Sequence, residues 1–428
     1  MVRIFKALRD VVGGFAVHIE QGKGGMRQIE MGVALLAVLA LSAAVAAGAS
    51  AEASTHCVKA TKEAKLVKGR TKQVYTGGWT NSACTATSAT HEGKYEDIQA
   101  SLLSESEQEA MKAILKYVKV VPAGVDGKPT FQVSGANVQI ESGAGSEQAA
   151  PNGEGNLVVG YDENPGSQSG SNNVVVGSEQ SDTSYGSILG GSANTDSGPF
   201  SVAFGVGDTA SGEGSAVTGG RSNTASGAST SVSGGKLNKA EGNNASVGGG
   251  QQNTASGVAS TVGGGQGNAA SSFVAAVSGG ADDEALNSYS WVGGGIGNEA
   301  AGEYAAASGG RENIAVATEA SAAGGRSNRA EGVDSSANGG YQNVAKGGNS
   351  LAAGGSENAA NGEISSVDGG VYNSTSGIGA SIGGGAENSA TGQEAWVGGG
   401  AENSASADFA SVFGGLGLTA GKEYEAIP

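Results

Sequence analysis

The chain has 428 residues, of which 78 are glycine, and carries a formal net charge of −17 at pH 7. Glycine far exceeds its usual share of about 7%, and aromatic residues are scarce. The acidic balance argues against nucleic acids and anionic membrane surfaces as partners, because like charges repel. Since the glycines recur at a fixed period, the composition favours an ordered repeat protein over a disordered one.

Residues 26–53 have the pattern of a secretory signal peptide. Arg27 supplies the charged start, residues 32–48 are apolar, and an Ala-Ser-Ala cleavage motif follows. The signal lies deep in the chain and Met26 offers a later start, so residues 1–25 are interpreted as an over-extended reading frame. The alternative is an N-terminal transmembrane anchor, for which this apolar run is short against a hydrocarbon core of ~30 Å.

A small module is predicted over residues 54–100. The chain has two cysteines, Cys57 and Cys84, and an even count in an exported protein predicts one disulfide. The segment between them is rich in lysine and carries Tyr75 and Trp79. One alternative is a contact with a polyanion or a cell wall, but a small stapled domain with a solvated lysine face is preferred.

Residues 101–150 are predicted to form a cap that begins with a helix. Ser104 and Glu107 have the spacing of a capping box, and Pro122 ends the helical pattern. The apolar residues of one face are Met111, Ile114, Leu115 and Val118. A cap packed on the following domain is preferred to a trimerising coiled coil, because four turns are short for an autonomous helix.

A hairpin is predicted next. Residues 131–133 and 138–140 alternate apolar and polar around a turn, and this hairpin is expected to protect the first edge of the repeat domain. Three apolar motifs follow at irregular spacing, at 157–160, 174–177 and 188–191. They are interpreted as early, atypical coils of the repeat array.

Glycine pairs then recur every 15 residues, fourteen times without an insertion, with the second glycine running from Gly220 to Gly415. Three residues before that glycine every unit has Val, Ala or Ile, and five residues after it thirteen units have Ala. Three residues after it, twelve units have asparagine, with Asp283 and Leu418 as the exceptions. These asparagines are Asn223, Asn238, Asn253, Asn268, Asn298, Asn313, Asn328, Asn343, Asn358, Asn373, Asn388 and Asn403.

This repeat predicts an all-β fold, a parallel β-roll or β-solenoid over residues 151–420 with a tail at 421–428. Paired glycines and β-branched residues disfavour a helix. Short strands with glycine at φ > 0 corners fit, and asparagine tolerates the left-handed region and can form a side-chain ladder. One coil per unit, stacked ~4.8 Å apart, gives a rod on the order of 80 Å long.

The predicted interior is thin. Each coil offers one Val or Ala, a second Ala and few other apolar residues, and a buried Val contributes only ~1.5–3 kcal/mol. A single chain is therefore expected to be under-filled. Association of several rods is the expected remedy.

Units such as residues 245–257, Ala-Ser-Val-Gly-Gly-Gly-Gln-Gln-Asn-Thr-Ala-Ser-Gly, resemble the head repeats of trimeric autotransporter adhesins, the YadA-like head. The resemblance covers about residues 155–420. It implies a left-handed coil, a homotrimer, an adhesive role and a secreted or cell-surface location. The chain stops at Pro428 without the family's coiled-coil stalk and β-barrel, so no C-terminal membrane anchor is expected.

The sequence predicts no catalytic, cofactor-binding or metal-binding residues. His56 and His91 lack the spacing of metal ligands, and the glycine strings lack the context of a phosphate-binding loop. The acidic run at 282–284 is a calcium candidate, but a solvated turn is preferred.

Aromatic residues are the distinctive surface feature. Trp291 and Trp396 occupy the same position of their units, with Tyr289 nearby, and alternation along a strand points both tryptophans outward. They are candidates for contact with a sugar or a protein. Packing between chains, or isolated surface aromatics, is the preferred alternative.

The sequence indicates three candidate functions. The first is an exported, non-enzymatic, adhesin-like or surface-structural rod with multivalent contacts. The second is a secreted module that binds a glycan or ice, although Lys239 and Glu299 interrupt the hydroxyl column that contains Thr224 and Thr254. The third, a fibre-type glycan-cleaving enzyme, needs paired carboxylates in a groove. The uniform units leave no inserted loop for one.

Overall fold

A computed structural model describes residues 57–67, 70–80, 105–161 and 163–428, the first two ranges by their backbone alone. The predicted signal peptide lies outside the described residues. The chain divides into two compact units between Val138 and Gln139.

The first unit begins with an antiparallel hairpin of β1 (Cys57–Val67) and β2 (Arg70–Thr80). In this pair Cys57 lies opposite Thr80. Cys84 lies outside the described residues, so the disulfide stays a prediction.

A helix, α1 (Glu105–Leu115), and a second antiparallel hairpin follow. The hairpin joins β3 (Val118–Val121) to β4 (Thr130–Val133). Two predictions are therefore wrong: Val118 belongs to a strand instead of the helix, and residues 138–140 do not pair with the strand at 130–133.

The segment between β3 and β4 explains this pairing. A single turn of 3₁₀ helix (Val125–Gly127) reverses the chain, and Gly124 N donates to Lys128 O across it at 2.8 Å. Thr130 Oγ1 accepts from Val125 N at 2.8 Å. The three valines of β3 favour a strand, because β-branched side chains pack well on a pleated surface.

The second unit is a parallel β-solenoid of about 18 turns, which confirms the predicted fold class. One ladder, sheet A, consists of β5 (Leu157–Val159), β6 (Val174–Ser178), β8 (Ile188–Ser192), β10 (Val202–Val206), β12 (Ala216–Val217), β14 (Ser231–Val232), β16 (Ser246–Val247), β18 (Thr261–Val262), β20 (Ala276–Val277), β22 (Trp291–Val292), β24 (Ala306–Ala307), β26 (Ser321–Ala322), β28 (Ser336–Ala337), β30 (Leu351–Ala352), β32 (Ser366–Val367), β34 (Ser381–Ile382), β36 (Trp396–Val397), β38 (Ser411–Val412) and β40 (Ala426–Ile427).

The other ladder, sheet B, runs in parallel on a second side of each coil. It consists of β7 (Ser181–Asp182), β9 (Thr195–Asp196), β11 (Thr209–Ala210), β13 (Thr224–Ala225), β15 (Lys239–Ala240), β17 (Thr254–Ala255), β19 (Ala269–Ala270), β21 (Glu284–Ala285), β23 (Glu299–Ala300), β25 (Ile314–Ala315), β27 (Arg329–Ala330), β29 (Val344–Ala345), β31 (Ala359–Ala360), β33 (Ser374–Thr375), β35 (Ser389–Ala390), β37 (Ser404–Ala405) and β39 (Thr419–Ala420).

A third column of single-residue bridges completes each coil, for example Arg311 to Arg326 and Arg326 to Tyr341. The predicted early motifs are strands of sheet A, and their spacing is irregular as predicted: β5, β6, β8 and β10 begin at residues 157, 174, 188 and 202, so the first coil is longer and the next two are shorter than 15 residues. The predicted C-terminal tail is wrong, because β40 pairs with β38 and continues the solenoid to Ile427.

The corners differ from the prediction in which residues occupy them. The second glycine of each pair has φ between +77° and +113°, as expected. Two further positions of each regular coil are also left-handed, and most of them hold other residues, such as Gln252 and Ile364. The repeat asparagines are not among the left-handed residues; they point inward one position after such a corner.

A single chain closes its own interior. In the regular coils between residues 215 and 412, the inward Val, Ala or Ile of sheet A, the Ala of sheet B, the repeat asparagines and a column of small residues such as Ala245 and Ser260 are each at most 1% exposed. Because these side chains are small, the narrow coil of one chain shields them from solvent. Exposure of the interior in a single chain, which would give a physical reason for association, is therefore not observed in the regular coils.

Candidate functional site

The repeat asparagines form an internal ladder along the solenoid. Asn328 N donates to Asn313 Oδ1 at 3.0 Å, and its own Oδ1 accepts from Asn343 N at 2.9 Å. Its Nδ2 donates to the carbonyls of Gly324 at 2.7 Å and Gly340 at 3.1 Å. Each amide thus joins three coils, which is why a buried polar residue stabilises this interior.

Asp208 and Asp283 occupy the asparagine column in two coils. Asp283 Oδ1 accepts from Asn298 N at 2.7 Å and from Asn298 Nδ2 at 3.0 Å, while its buried Oδ2 has no hydrogen-bond partner in the described structure. Burial raises the pKa of both carboxyl groups. These residues are structural substitutes within a ladder rather than a metal site.

A second pair of acidic residues lies in the earliest coils. Asp182 and Asp196 are register partners in β7 and β9, where later coils have alanine, and both are buried. Burial raises the pKa of Asp196 to about 6; the Ser201 hydroxyl donates to this carboxylate and opposes the rise, and the charge of Asp182 adds to it.

The outer surface of sheet A, called here the sheet A face, is almost uncharged. It comprises two outward columns of small side chains. One column is Ala216, Ser231, Ser246, Thr261, Ala276, Trp291, Ala306, Ser321, Ser336, Leu351, Ser366, Ser381, Trp396, Ser411 and Ala426. The other column is Thr218, Ser233, Gly248, Gly263, Ser278, Gly293, Ser308, Ala323, Asn338, Ala353, Asp368, Gly383, Gly398, Phe413 and Pro428.

Asp368 carries the one charged side chain of these two columns. The outward column of sheet B, by contrast, includes Lys239, Glu284, Glu299 and Arg329. The sheet A face is therefore a neutral strip on a strongly acidic chain.

Trp291 lies on the sheet A face and is 41% exposed. Its six-membered ring lies over Gly293, since a methyl group placed on that glycine would be 3.0 Å from Cη2 and 3.1 Å from Cζ2. Its Nε1 donates to Ser278 Oγ at 3.2 Å in the preceding coil. The glycine and the hydrogen bond together hold the indole along the sheet.

Trp396 is placed in the same way, seven coils further along, and is 36% exposed. A methyl group on Gly398 would be 2.8 Å from its Cη2 and 3.0 Å from its Cζ2. Phe413 packs edge-to-face against it, with ring centroids 5.1 Å apart. Sequence reasoning found the outward direction of both tryptophans. It missed the glycine that lies beneath each indole, here called the glycine bed (Gly293 under Trp291, Gly398 under Trp396). The string Trp-Val-Gly-Gly-Gly, which both units share, was the available signal.

Aromatic residues also stack at the corner beside the sheet A face. Tyr289 and Tyr304 are parallel with centroids 4.9 Å apart, and Phe273 meets Tyr289 edge-to-face at 5.4 Å. Phe409 and Tyr424 repeat the parallel pair at 4.9 Å. Each tryptophan therefore belongs to a coil region with several exposed aromatic rings, a grouping that sequence analysis reduced to Tyr289 alone.

Acidic and metal-ligating side chains are dispersed over much of the described structure. The described residues contain no group of three or more His, Cys, Asp or Glu residues that could hold a metal ion. In the acidic run at 282–284 the middle residue is buried and its neighbours are exposed, so the carboxylates do not converge. The two best-defined depressions, of about 440 and 330 Å³, lie outside the regular coils, beside β4 and residues 141–147.

The helix of the described part of the chain is too short and too polar to cross a membrane. Comparison with known protein families found no matching family model. Comparison with curated proteins found no similar sequence.

Proposed function

We propose that this chain is an exported, non-enzymatic rod that acts through repeated contacts of its outer faces. One observation carries the proposal: the regular coils enclose only small, fully buried residues and have no inserted loops. Function is thereby left to the outward columns. Repeated weak contacts along such columns gain avidity from simultaneous engagement.

The resemblance to YadA-like heads supports an adhesive role, a cell-surface or secreted location and a homotrimer as parts of the same proposal. The trimer is supported by this resemblance alone, because the core residues of a single chain are already buried. Handedness of the coil stays a prediction.

Adhesion can be tested with beads coated with the chain from residue 54 onward, on surfaces coated with glycans or with extracellular proteins. We expect retention under flow that rises more than in proportion to the density of the rod. The matched control is the same chain captured as single molecules. Equal and negligible retention at every density on all surfaces would contradict the proposal.

Ice binding is the weaker alternative. It needs a flat and regular hydroxyl array, and in sheet B the charged Lys239 and the apolar Ile314 interrupt the column that contains Thr224. On the sheet A face the two tryptophans interrupt the serines. We expect no thermal hysteresis in a freezing assay.

A further inference from the structure

We propose that the sheet A face binds a neutral, extended β-1,4-linked polysaccharide, with Trp291 and Trp396 as two stacking platforms. This inference rests on the proposed function and names the class of ligand. The charge, the shape and the spacing of this face support it.

The charge distribution selects a neutral ligand. The chain has a net charge of −17, yet the sheet A face carries only Asp368 over the length of both columns. Polyanions are repelled by the acidic rod, and a cationic ligand finds its carboxylates on other columns. A neutral ligand pays almost no desolvation free energy for charged groups on this strip, because binding there covers almost none of them.

The chemistry of the face matches a sugar chain. A pyranose ring presents an apolar surface of C–H groups and a rim of hydroxyls. An indole that lies along a sheet offers a broad apolar surface on which the C–H face of the sugar can stack. Aromatic rings commonly supply a large share of the contact energy at binding surfaces. The serine hydroxyls between the two tryptophans, such as Ser321, Ser336 and Ser366, can donate to and accept from the hydroxyl rim.

The shape of the face excludes a small molecule held in a pocket. The outward side chains are small along both columns, so a ligand gains area only by lying along several coils. Trp291 and Trp396 share one column seven coils apart, which places them ~34 Å apart along the stack of coils at the usual spacing of paired strands. An extended β-1,4-linked ribbon suits two platforms at this separation better than a helical α-linked chain does.

The first experiment measures pull-down of the chain from residue 54 onward by insoluble cellulose and chitin, with insoluble starch as the α-linked comparison. We expect binding to at least one β-1,4-linked probe. Trp291→Ala and Trp396→Ala should each weaken it roughly tenfold, and the double variant should reduce it to background. Tyr341→Ala, an exposed aromatic residue of the third column, is the matched control and should leave binding unchanged.

A second experiment moves one platform. In the variant Trp396→Ser with Ser381→Trp, the new indole lies one coil closer to Trp291 and finds an equivalent glycine bed at Gly383. A polymer tolerates the changed spacing, so binding lost in Trp396→Ser should return. Trp396→Ser with Ser366→Trp is the control, because Asp368 occupies the corresponding bed and binding should stay weak.

Failure of the unmodified chain, folded by circular dichroism, to bind either β-1,4-linked probe overturns this inference. So does full binding by the double alanine variant. Recovery that requires the original seven-coil spacing also overturns it, in favour of a rigid protein partner. Bead adhesion to a protein-coated surface, with neither polysaccharide bound, would sink this inference and leave the proposed function standing.

Discussion

At the scale of single residues, the main departure from expectation is that many residues other than glycine have a left-handed backbone conformation. Ile364, a β-branched residue, has φ +59°, a conformation that costs roughly 1–2 kcal/mol for an L-residue. Such corners reverse the direction of their backbone N–H. Gln252 N donates to Lys236 O in the preceding coil at 2.9 Å, whereas Thr254 N donates to Asn268 O in the following coil at 2.8 Å.

The hydrogen bond to the preceding coil offsets the backbone cost, and it exists only in the stack. A sequence pattern therefore cannot show it. Contacts with the neighbouring coils thus hold these residues in the left-handed conformation, which their own side chains disfavour.

The two glycines of a pair are predicted to differ sharply in tolerance. Gly325 has φ +77°, and a Cβ there would meet the backbone of Gly340 and Asn328 Nδ2 at 2.7 Å, whereas a Cβ on Gly324 meets nothing within 4 Å. We expect Gly325→Ala to lower the free energy of unfolding by about 3 kcal/mol or more. Gly324→Ala is the matched control and should change it by less than about 1 kcal/mol. Urea denaturation measures both, and equal effects would contradict the geometry.

Asp196 is predicted to make the early coils more stable at acidic pH. Its pKa is about 6 in the folded chain against an ordinary value of 3.8. Well below pH 3.8 the carboxyl is protonated in both states. As the pH rises from about 4 to about 6 the unfolded chain ionises first, and the folded state loses up to about 3 kcal/mol. Thermal unfolding by circular dichroism between pH 4 and 8 should show this slope.

The variant Asp196→Asn keeps the shape of the side chain and removes the ionisable group. We expect most of the slope between pH 4 and 7 to disappear, with a remainder from Asp208 and Asp283, whose pKa values burial also raises. An unchanged slope would place the titrating group elsewhere.

At the scale of elements, the structural unit of this fold is the whole coil rather than the individual strand. Most strands of the regular coils are two residues long, which is too short for independent stability. Each coil closes its three sides only against the coils above and below. Stability then depends on the contacts between neighbouring coils, as in other solenoids.

Removal of one whole coil is therefore predicted to be tolerated. Deleting residues 326–340 joins Gly325 to Tyr341 and keeps every column in register. We expect a cooperative unfolding transition within a few degrees of that of the intact chain. Deleting residues 326–333 is the control. It leaves a partial coil that cannot complete a turn, so the array should be interrupted and the transition should broaden or split.

The first unit shows where element prediction failed. The predicted helix was about one turn too long, because Val118 continues the apolar spacing of α1. In the structure the same valine begins β3. Local propensity favours a strand there, and the partner strand at Thr130–Val133 decides the competition. Which segment pairs with β4 depends on the turn at 122–129, whose reversal the sequence did not reveal.

For the second unit as a whole, the closed interior of one chain predicts that folding does not depend on association. Its core residues are buried without help from another copy. We expect the thermal midpoint of the chain from residue 54 onward to stay constant over a hundredfold dilution, even if the proposed trimer dissociates. Circular dichroism at each concentration measures it, with sedimentation velocity as the control for oligomeric state. A midpoint that falls with dilution would show that assembly stabilises the fold.

The sequence by itself determined the period of 15, the parallel solenoid and the outward direction of Trp291 and Trp396, whereas the inward direction of the repeat asparagines emerged only from the structure. The first three follow from alternation along a strand and from exact repetition, which are local properties. Only the tertiary structure decided the third column of bridges, the left-handed corners, the closed interior and the glycine beds beneath the indoles. Those features depend on hydrogen bonds and on packing between neighbouring coils, and a single unit does not contain the atoms that make them.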